Sequence, residues 1–105
     1  MSIALDSIFG SLSDPTRRDI IARVSIAEMS VSEIAEPYDM SLAAISKHLK
    51  ILERAKLIVK IRRGKQLFVR LSPAALRNAS TYLDSYRKMW EDRFDALEEF
   101  LAKGK

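Results

Sequence analysis

Residues 41–71, SLAAISKHLKILERAKLIVKIRRGKQLFVRL, combine a short amphipathic helix with a basic hairpin. At about 100° per residue, residues 42–54 bring Ile45, Leu49 and Leu52 onto one apolar stripe. The opposite side of the helix begins with small side chains and carries cations further along. This pattern predicts a helix whose stripe is buried and whose cationic side faces the solvent.

The hairpin is predicted from two runs rich in β-branched and apolar residues, 57–62 and 66–71. Gly64 lies between them and can adopt the positive φ that a hairpin requires. The hairpin carries five cations, namely Lys60, Arg62, Arg63, Lys65 and Arg70. Strand alternation divides them between two faces, so exposure is expected only for the tip, residues 62–65. A cationic helix beside a cationic ribbon suits a DNA groove and its phosphates, although cations on a hairpin edge also discourage strand aggregation.

Two helices are predicted at the start of the chain. Residues 3–12 place apolar side chains at helical spacing. Asp14 and Pro15 supply an N-cap and a first-turn proline for the second helix. Its core side is predicted to consist of Ile20, Ile21 and Val24, and its solvent side of Arg17, Arg18 and Arg23.

The third and fourth predicted helices form a helix-turn-helix. Ser30 and Glu33 have the spacing of a capping box, so the third helix should begin at about residue 31. Pro37 keeps that helix short, and Ser41 is a natural N-cap for the fourth helix, residues 42–54. Two short helices joined by a tight turn are typical of helix-turn-helix proteins, which bind DNA.

The pattern is helical again from residue 73 to about residue 103. An aromatic stripe runs along this helix, formed by Tyr82, Tyr86, Trp90 and Phe94. One small core cannot bury all of this stripe, so we expect a second copy of the chain to cover part of it. The predicted dimer interface joins the first and last helices and consists of Leu5, Ile8, Phe9, Leu83, Tyr86, Trp90, Phe94 and Leu97. Two other interpretations remain open: the stripe is intramolecular core, or it lines a pocket for a hydrophobic small-molecule effector.

The composition restricts the kinds of site and function that the chain can have. With 105 residues the chain has room for one domain, residues 1–105. Its net charge of +4 points weakly to an anionic partner. Cysteine is absent and His48 is the single histidine, which excludes disulfides, thiolate sites and histidine clusters within one chain. No catalytic constellation is found, so we expect no enzyme, no cofactor and no metal.

The sequence also bears on the cellular compartment. No apolar run reaches the roughly 18 residues of a membrane span. The N-terminus carries an aspartate and no basic region, unlike a signal peptide. We therefore expect a cytoplasmic protein with no membrane partner.

In this order, the segments SDPTRRDII, VSEIAEPYDMSLAAISKHLKILERAKLI and RRGKQLFVRL resemble the ArsR-type winged helix-turn-helix transcription regulators. The resemblance covers nearly all of the chain, and its most specific part is Ser-x-x-x-Ile-Ser-Lys-His-Leu-x-x-Leu from residue 41. It implies a fold that is mainly α with a β-hairpin, a winged helix-turn-helix of about five helices and a two-stranded wing. It also implies a homodimer that binds a double-stranded DNA operator, usually as a repressor, and is released by an effector.

The resemblance and the helical projection together predict the DNA-contacting residues. They are Ser41, Leu42, Ala43, Ser46, Lys47, His48 and Lys50 on the helix, and Arg62, Arg63, Lys65 and Gln66 on the wing. The rival interpretation is a winged-helix module that binds protein. Clustered cations favour DNA over that rival, because a protein-binding face would expose an apolar patch there.

The chain departs from the family pattern in three places. Asp39 stands where the family usually has glycine, and aspartate enters the left-handed region more readily than most residues. Leu42 replaces an often-polar residue after the N-cap. The segment Met29–Ser32 has no cysteine and the last helix has no histidine, so the family's metal-sensing forms are not supported.

Overall fold

The computed structural model describes residues 3–104, with side chains from Leu5 onward. In chain order the elements are α1 (Ile3–Ser11), α2 (Pro15–Ile26), β1 (Met29–Ser30), α3 (Val31–Ala35), α4 (Leu42–Arg54), β2 (Ile58–Arg63), β3 (Gln66–Leu71) and α5 (Pro73–Lys103). Five helices and a small antiparallel sheet within the described residues confirm the predicted fold class.

The prediction of a two-stranded wing is incomplete. A third strand, β1, lies on the far side of β3, which gives the order β1-β3-β2. Met29 pairs with Val69, and Ser30 pairs with Phe68. Two residues are too few for the alternation of side chains to reveal a strand in the sequence.

Side-chain caps set the predicted helix starts. Asp14 Oδ2 accepts a hydrogen bond from the Arg17 backbone N–H at 3.0 Å, which holds the pKa of the Asp14 carboxyl below its usual value. Ser30 and Glu33 form the predicted capping box, with bonds of 3.1 and 2.9 Å. Ser41 Oγ accepts from the Ala44 N–H at 3.1 Å and begins α4 at the predicted residue.

The core lies between α2, α4 and the inner face of the sheet. Its most deeply buried members, each less than 2% exposed, are Ile20, Ile34, Ile45, Leu49, Leu52, Leu57, Ile58 and Val69. The predicted apolar stripe of α4 is therefore confirmed as core. The same holds for the predicted core side of α2.

The arginines of α2 do not all remain in solvent as predicted. Arg17 Nε donates to the Ser11 carbonyl at 2.6 Å, and Arg23 Nη1 donates to the Ile34 carbonyl at 2.8 Å. Both guanidinium groups are partly buried, whereas Arg18 is exposed. The reason is that carbonyls near helix ends have no N–H partner within the helix, and a guanidinium can supply one.

Left-handed backbone occurs, among residues 3–104, at Lys56 (φ 63°) and Gly64 (φ 62°). Gly64 confirms the hairpin prediction. The left-handed conformation considered for Asp39 is wrong. Lys56 instead adopts this conformation just after α4, and the Leu57 N–H then donates back to the Leu52 carbonyl at 3.1 Å.

Helix α5 leaves the core soon after it begins. Ala75 and Ala79 are buried at its base, but every residue from Leu83 to Gly104 is exposed. Because the helix is about 46 Å long, it stretches the molecule to 66 × 28 × 23 Å. No helix in the described residues combines the length and apolar character that crossing a membrane requires.

Candidate nucleic-acid interface and dimer face

The outer side of α4 is open to solvent. Of the residues predicted to contact DNA from this helix, the exposed ones are Ser41, Leu42, Ala43, Ser46, Lys47 and Lys50. Leu42 is 62% exposed, which places an apolar side chain at the helix start. Neither Lys47 nor Lys50 has an ion-pair partner among the described residues.

His48 differs from its neighbours, because the structure places it against α2. Its side chain is only 19% exposed. Its Nδ1 lies 3.3 Å from Arg17 Nη1 and 3.9 Å from Asp14 Oδ2. His48 is therefore packed against α2, while its contact with DNA stays a prediction.

A cleft of about 310 Å³ separates α4 from the wing, and we call it the helix–wing cleft. Its polar lining includes Ser32, Ser46, Lys60, Lys65 and Gln66, and its apolar lining includes Val31, Leu42, Leu49 and Leu67. The charged side chains in this lining are both lysines. The cleft thus joins predicted DNA-contacting residues of α4 to those of the wing.

Lys60 was not among the predicted DNA contacts. Its Nζ lies 3.3 Å from Glu53 Oε1 at the far end of α4. The signal that could have found it is its register: Lys60 pairs with the buried Val69, so it belongs to the sheet face that looks toward α4. The sequence predicts a turn at Gly64 but not which residues pair across it, and a shift of one residue would move Lys60 to the other face of the sheet.

The cations of the wing tip do not share one environment. Arg62 pairs with Leu67, which lines the helix–wing cleft, and Arg62 has no ion-pair partner in the described residues. Arg63 lies on the other face of the sheet. Its Nη1 is 3.0 Å from Glu28 Oε1, and its guanidinium lies 5.1 Å from the centre of the Phe68 ring. The structure therefore does not bring Arg63 together with Lys65 and α4.

The apolar face of α5 is unpartnered within the chain. Its predicted interface residues Leu83, Tyr86, Trp90, Phe94 and Leu97 are 41–56% exposed, and we call them the α5 stripe. The Trp90 and Phe94 rings stack at 5.9 Å. The interpretation of the stripe as intramolecular core is therefore wrong from residue 83 onward, where no other described element covers it.

The predicted interface residues of α1 behave differently from those of α5. Ile8 is 3% exposed and belongs to the chain's own core, so its assignment to the dimer interface is corrected. Leu5 and Phe9 are half-buried against that core. The Phe9 ring lies 6.2 Å from the Tyr82 ring of α5, so these two helices form one surface.

No group of three or more histidine, cysteine, aspartate or glutamate side chains in residues 3–104 is arranged to hold a metal ion. An open groove on α5 is lined by Arg87, Trp90, Glu91 and Phe94. It is the place where the predicted hydrophobic effector pocket would lie, and it coincides with the α5 stripe.

Comparison with known proteins identifies the family. Residues 12–61 match a family described as a helix-turn-helix domain. The chain is 32% identical over 79 residues to the transcriptional repressor SdpR of Bacillus subtilis (strain 168), and this match covers 75% of the chain and 88% of SdpR.

Solved structures agree with that match. The crystal structure of the ArsR family transcriptional regulator RHA00566 is 32% identical, has a TM-score of 0.79, and covers 84% of this chain and 97% of its own. The homodimeric winged helix-turn-helix DNA-binding domain Mb0332 of Mycobacterium bovis, solved in solution, shares the fold at 20% identity and a TM-score of 0.66, covering 85% of this chain and 83% of its own. The chain therefore belongs to the ArsR family of winged helix-turn-helix transcriptional regulators.

Proposed function

We propose that this regulator is a homodimeric repressor that binds double-stranded DNA through α4 and the wing. The observation that carries the proposal is a set of exposed cations on α4 and the wing. Lys47 and Lys50 lie on the exposed side of α4, Arg62 and Lys65 lie on the wing, and none of them has an ion-pair partner among the described side chains. A DNA phosphate is the partner that such a surface fits.

The exposed face of α4 suits the major groove. Small side chains at Ala43 and Ser46 allow close approach to base edges, and the positive end of the helix dipole favours nearby phosphates. Ser46 and Lys47 can donate to base acceptors or to phosphates. Leu42 supplies apolar contact and no hydrogen-bonded discrimination.

The dimer is supported by the α5 stripe. Exposed aromatic and leucine side chains along one helix face are typical of protein interfaces rather than of a monomer surface. The neighbouring Mb0332 domain is itself homodimeric. We assign the groove at Trp90 and Phe94 to this interface and not to an effector, because a second copy that covers the stripe would also fill the groove.

Repression is proposed from the relative SdpR, which is named as a transcriptional repressor. A dimer that occupies an operator excludes other proteins from the same DNA. The rival function, protein binding through the same face, is disfavoured because α4 and the wing expose four cations without ion-pair partners, whereas Leu42 is the large apolar side chain that α4 exposes.

The test is DNA binding by a charge-neutralised variant. The probe is the duplex that the wild-type protein selects from a random-sequence pool. We expect the double substitution Lys47→Ala with Lys65→Ala to weaken binding about tenfold or more at about 0.15 M salt, because two phosphate contacts are lost. Fluorescence anisotropy measures the effect.

The matched control removes two cations from α5, with Arg77→Ala and Lys103→Ala, and leaves the proposed face intact. This control should bind within about twofold of wild type. Equal binding by the Lys47 and Lys65 variant and wild type would show that the proposed face is wrong.

A further inference from the structure

We propose that Arg63 is a positioning residue of the wing that holds the tip in place without touching DNA. The inference rests on the proposed function, since it concerns which wing cations meet the phosphates. It departs from the sequence-based assignment, in which Arg63 contacts DNA like its neighbour Arg62. The structural feature behind it is a cluster of Glu28, Arg63, Phe68 and Arg70, which we call the wing brace.

The wing brace contains one carboxylate, that of Glu28, which is largely shielded from solvent. The Glu28 side chain is 25% exposed, and its Oε1 is buried without a well-oriented hydrogen bond among the described residues. Two guanidinium groups compensate this oxygen: Arg63 Nη1 at 3.0 Å and Arg70 Nη2 at 3.9 Å. Removing the closer cation leaves a largely buried carboxylate poorly compensated, which costs more than breaking a fully exposed pair.

The direction of the Arg63 side chain follows from the strand register. Met29 pairs with Val69, so Glu28 lies level with Arg70 at the base of the wing. Arg63 pairs with Gln66 at the tip. To reach Glu28, the Arg63 side chain runs back along the sheet across Phe68, away from the tip.

The brace adds a link to those that already hold the wing, namely the pairing of β2 with β3 and the ion pair between Lys60 and Glu53. Strands β1 and β2 both pair with β3 and not with each other. The pair between Glu28, the residue before β1, and Arg63, the last residue of β2, spans β3. Because β1 leads into the Ser30 cap of α3, the brace ties the wing tip to the helix-turn-helix.

The two adjacent arginines, Arg62 and Arg63, should therefore have different roles. Arg62 and Lys65 are free of ion pairs in the described residues, and Arg62 shares the sheet face of the helix–wing cleft. Arg63 already has its anionic partner. Arg62 should therefore contribute to the salt dependence of DNA binding, and Arg63 should contribute only to where the wing sits.

The first experiment compares salt dependence. Arg62→Met and Arg63→Met remove the same charge and keep an unbranched apolar stem, and in Arg63→Met that stem can still cover Phe68. Affinity for the selected duplex is measured over a range of salt concentrations. Arg62→Met should reduce the slope of log K against log salt by about 1. Arg63→Met should weaken binding by a constant factor and leave the slope at the wild-type value. A loss of slope equal to that of Arg62→Met would overturn the inference.

The second experiment is a charge exchange. Arg63→Glu should abolish most binding, because it places a second carboxylate beside Glu28 and frees the wing. Adding Glu28→Arg restores the pair with reversed signs but also sets a second guanidinium beside Arg70, so binding should recover in part. A residue that contacts phosphate cannot be rescued in this way. If the exchanged protein binds no better than Arg63→Glu alone, the brace does not position the wing.

A third measurement needs no DNA and separates this inference from the proposed function. Amide hydrogen exchange in residues 62–66 should accelerate in Arg63→Met and remain at the wild-type rate in Arg62→Met. Equal exchange in both variants would refute the brace even if DNA binding is confirmed. Conversely, a wild-type protein that binds no duplex would refute the proposed function, while faster exchange in Arg63→Met alone would still support the brace.

Discussion

Helices α4 and α5 each carry an apolar stripe at helical spacing, and the two stripes lie in opposite environments. In α4, Ile45, Leu49 and Leu52 are 0–1% exposed, because α2 and the sheet cover them. In α5, residues such as Trp90 and Leu97 are 44% and 52% exposed, because no described element reaches them.

The comparison shows that the chain buries one apolar stripe in its own core and leaves the other exposed to solvent. The stripe of α4 stabilises the fold, and its position sets which side of that helix faces outward. The stripe of α5 contributes little to the stability of the single chain. Its burial is favourable only when a partner covers it, so it stabilises the dimer. Substitutions in the stripe of α4 should therefore lower the stability of the single chain, whereas substitutions in the stripe of α5 should weaken the dimer.

The largest expected effect is a cavity in the α4 stripe. Leu52→Ala should lower the free energy of unfolding by about 2–5 kcal/mol, since the side chain is fully buried and its neighbours cannot collapse completely. Leu97→Ala, the matched change in the α5 stripe, should cost no more than about 0.5 kcal/mol in the unassembled chain. Denaturant unfolding at low protein concentration measures both. Similar losses for the two variants would remove the distinction between core and interface.

The second-largest expected effect is on the dissociation constant of the dimer. Trp90→Ala should weaken the dimer by about 2 kcal/mol, roughly thirtyfold in the dimer dissociation constant, because a large aromatic side chain at an interface centre is a common hot spot. Sedimentation velocity over a concentration series measures it. Glu91→Ala changes the adjacent exposed position and serves as the control. An unchanged sedimentation profile for Trp90→Ala would exclude this part of α5 from the interface.

The smallest expected effect is the loss of a side-chain cap at the start of a helix, and α4 and α5 differ in this respect. Ser41 caps α4 with a hydrogen bond, whereas Ser72 at the start of α5 makes no side-chain cap bond. Ser41→Ala should therefore cost about 1 kcal/mol of stability and Ser72→Ala close to nothing. Thermal unfolding of the two variants at one protein concentration makes the comparison. A larger loss for Ser72→Ala would contradict the capping assigned here.

Much of this architecture could be predicted because its signals are local. The bounds of α4 follow from a cap at Ser41 and a regular apolar period, and the hairpin follows from Gly64. Strand β1 could not be predicted, because two residues carry no period. The environments of Arg63 and Arg17 depend on partners distant in the sequence, Glu28 for the first and His48 for the second.

The interface residues illustrate the same limit. The period of α1 identifies Ile8 as apolar but not which element will cover it. The sequence shows equally that Trp90 and Leu52 lie on apolar stripes. Only packing decides that one is buried and the other exposed, because that depends on how far α5 extends beyond the core.

The central claim is that two chains, joined through α5, present two copies of α4 to one duplex. The most direct test is the stoichiometry of the complex with the selected duplex, measured by sedimentation equilibrium. The account predicts two protomers per duplex, with Trp90→Ala shifting the free protein toward monomer and weakening DNA binding in parallel. A tight complex that contains a single protomer would contradict it.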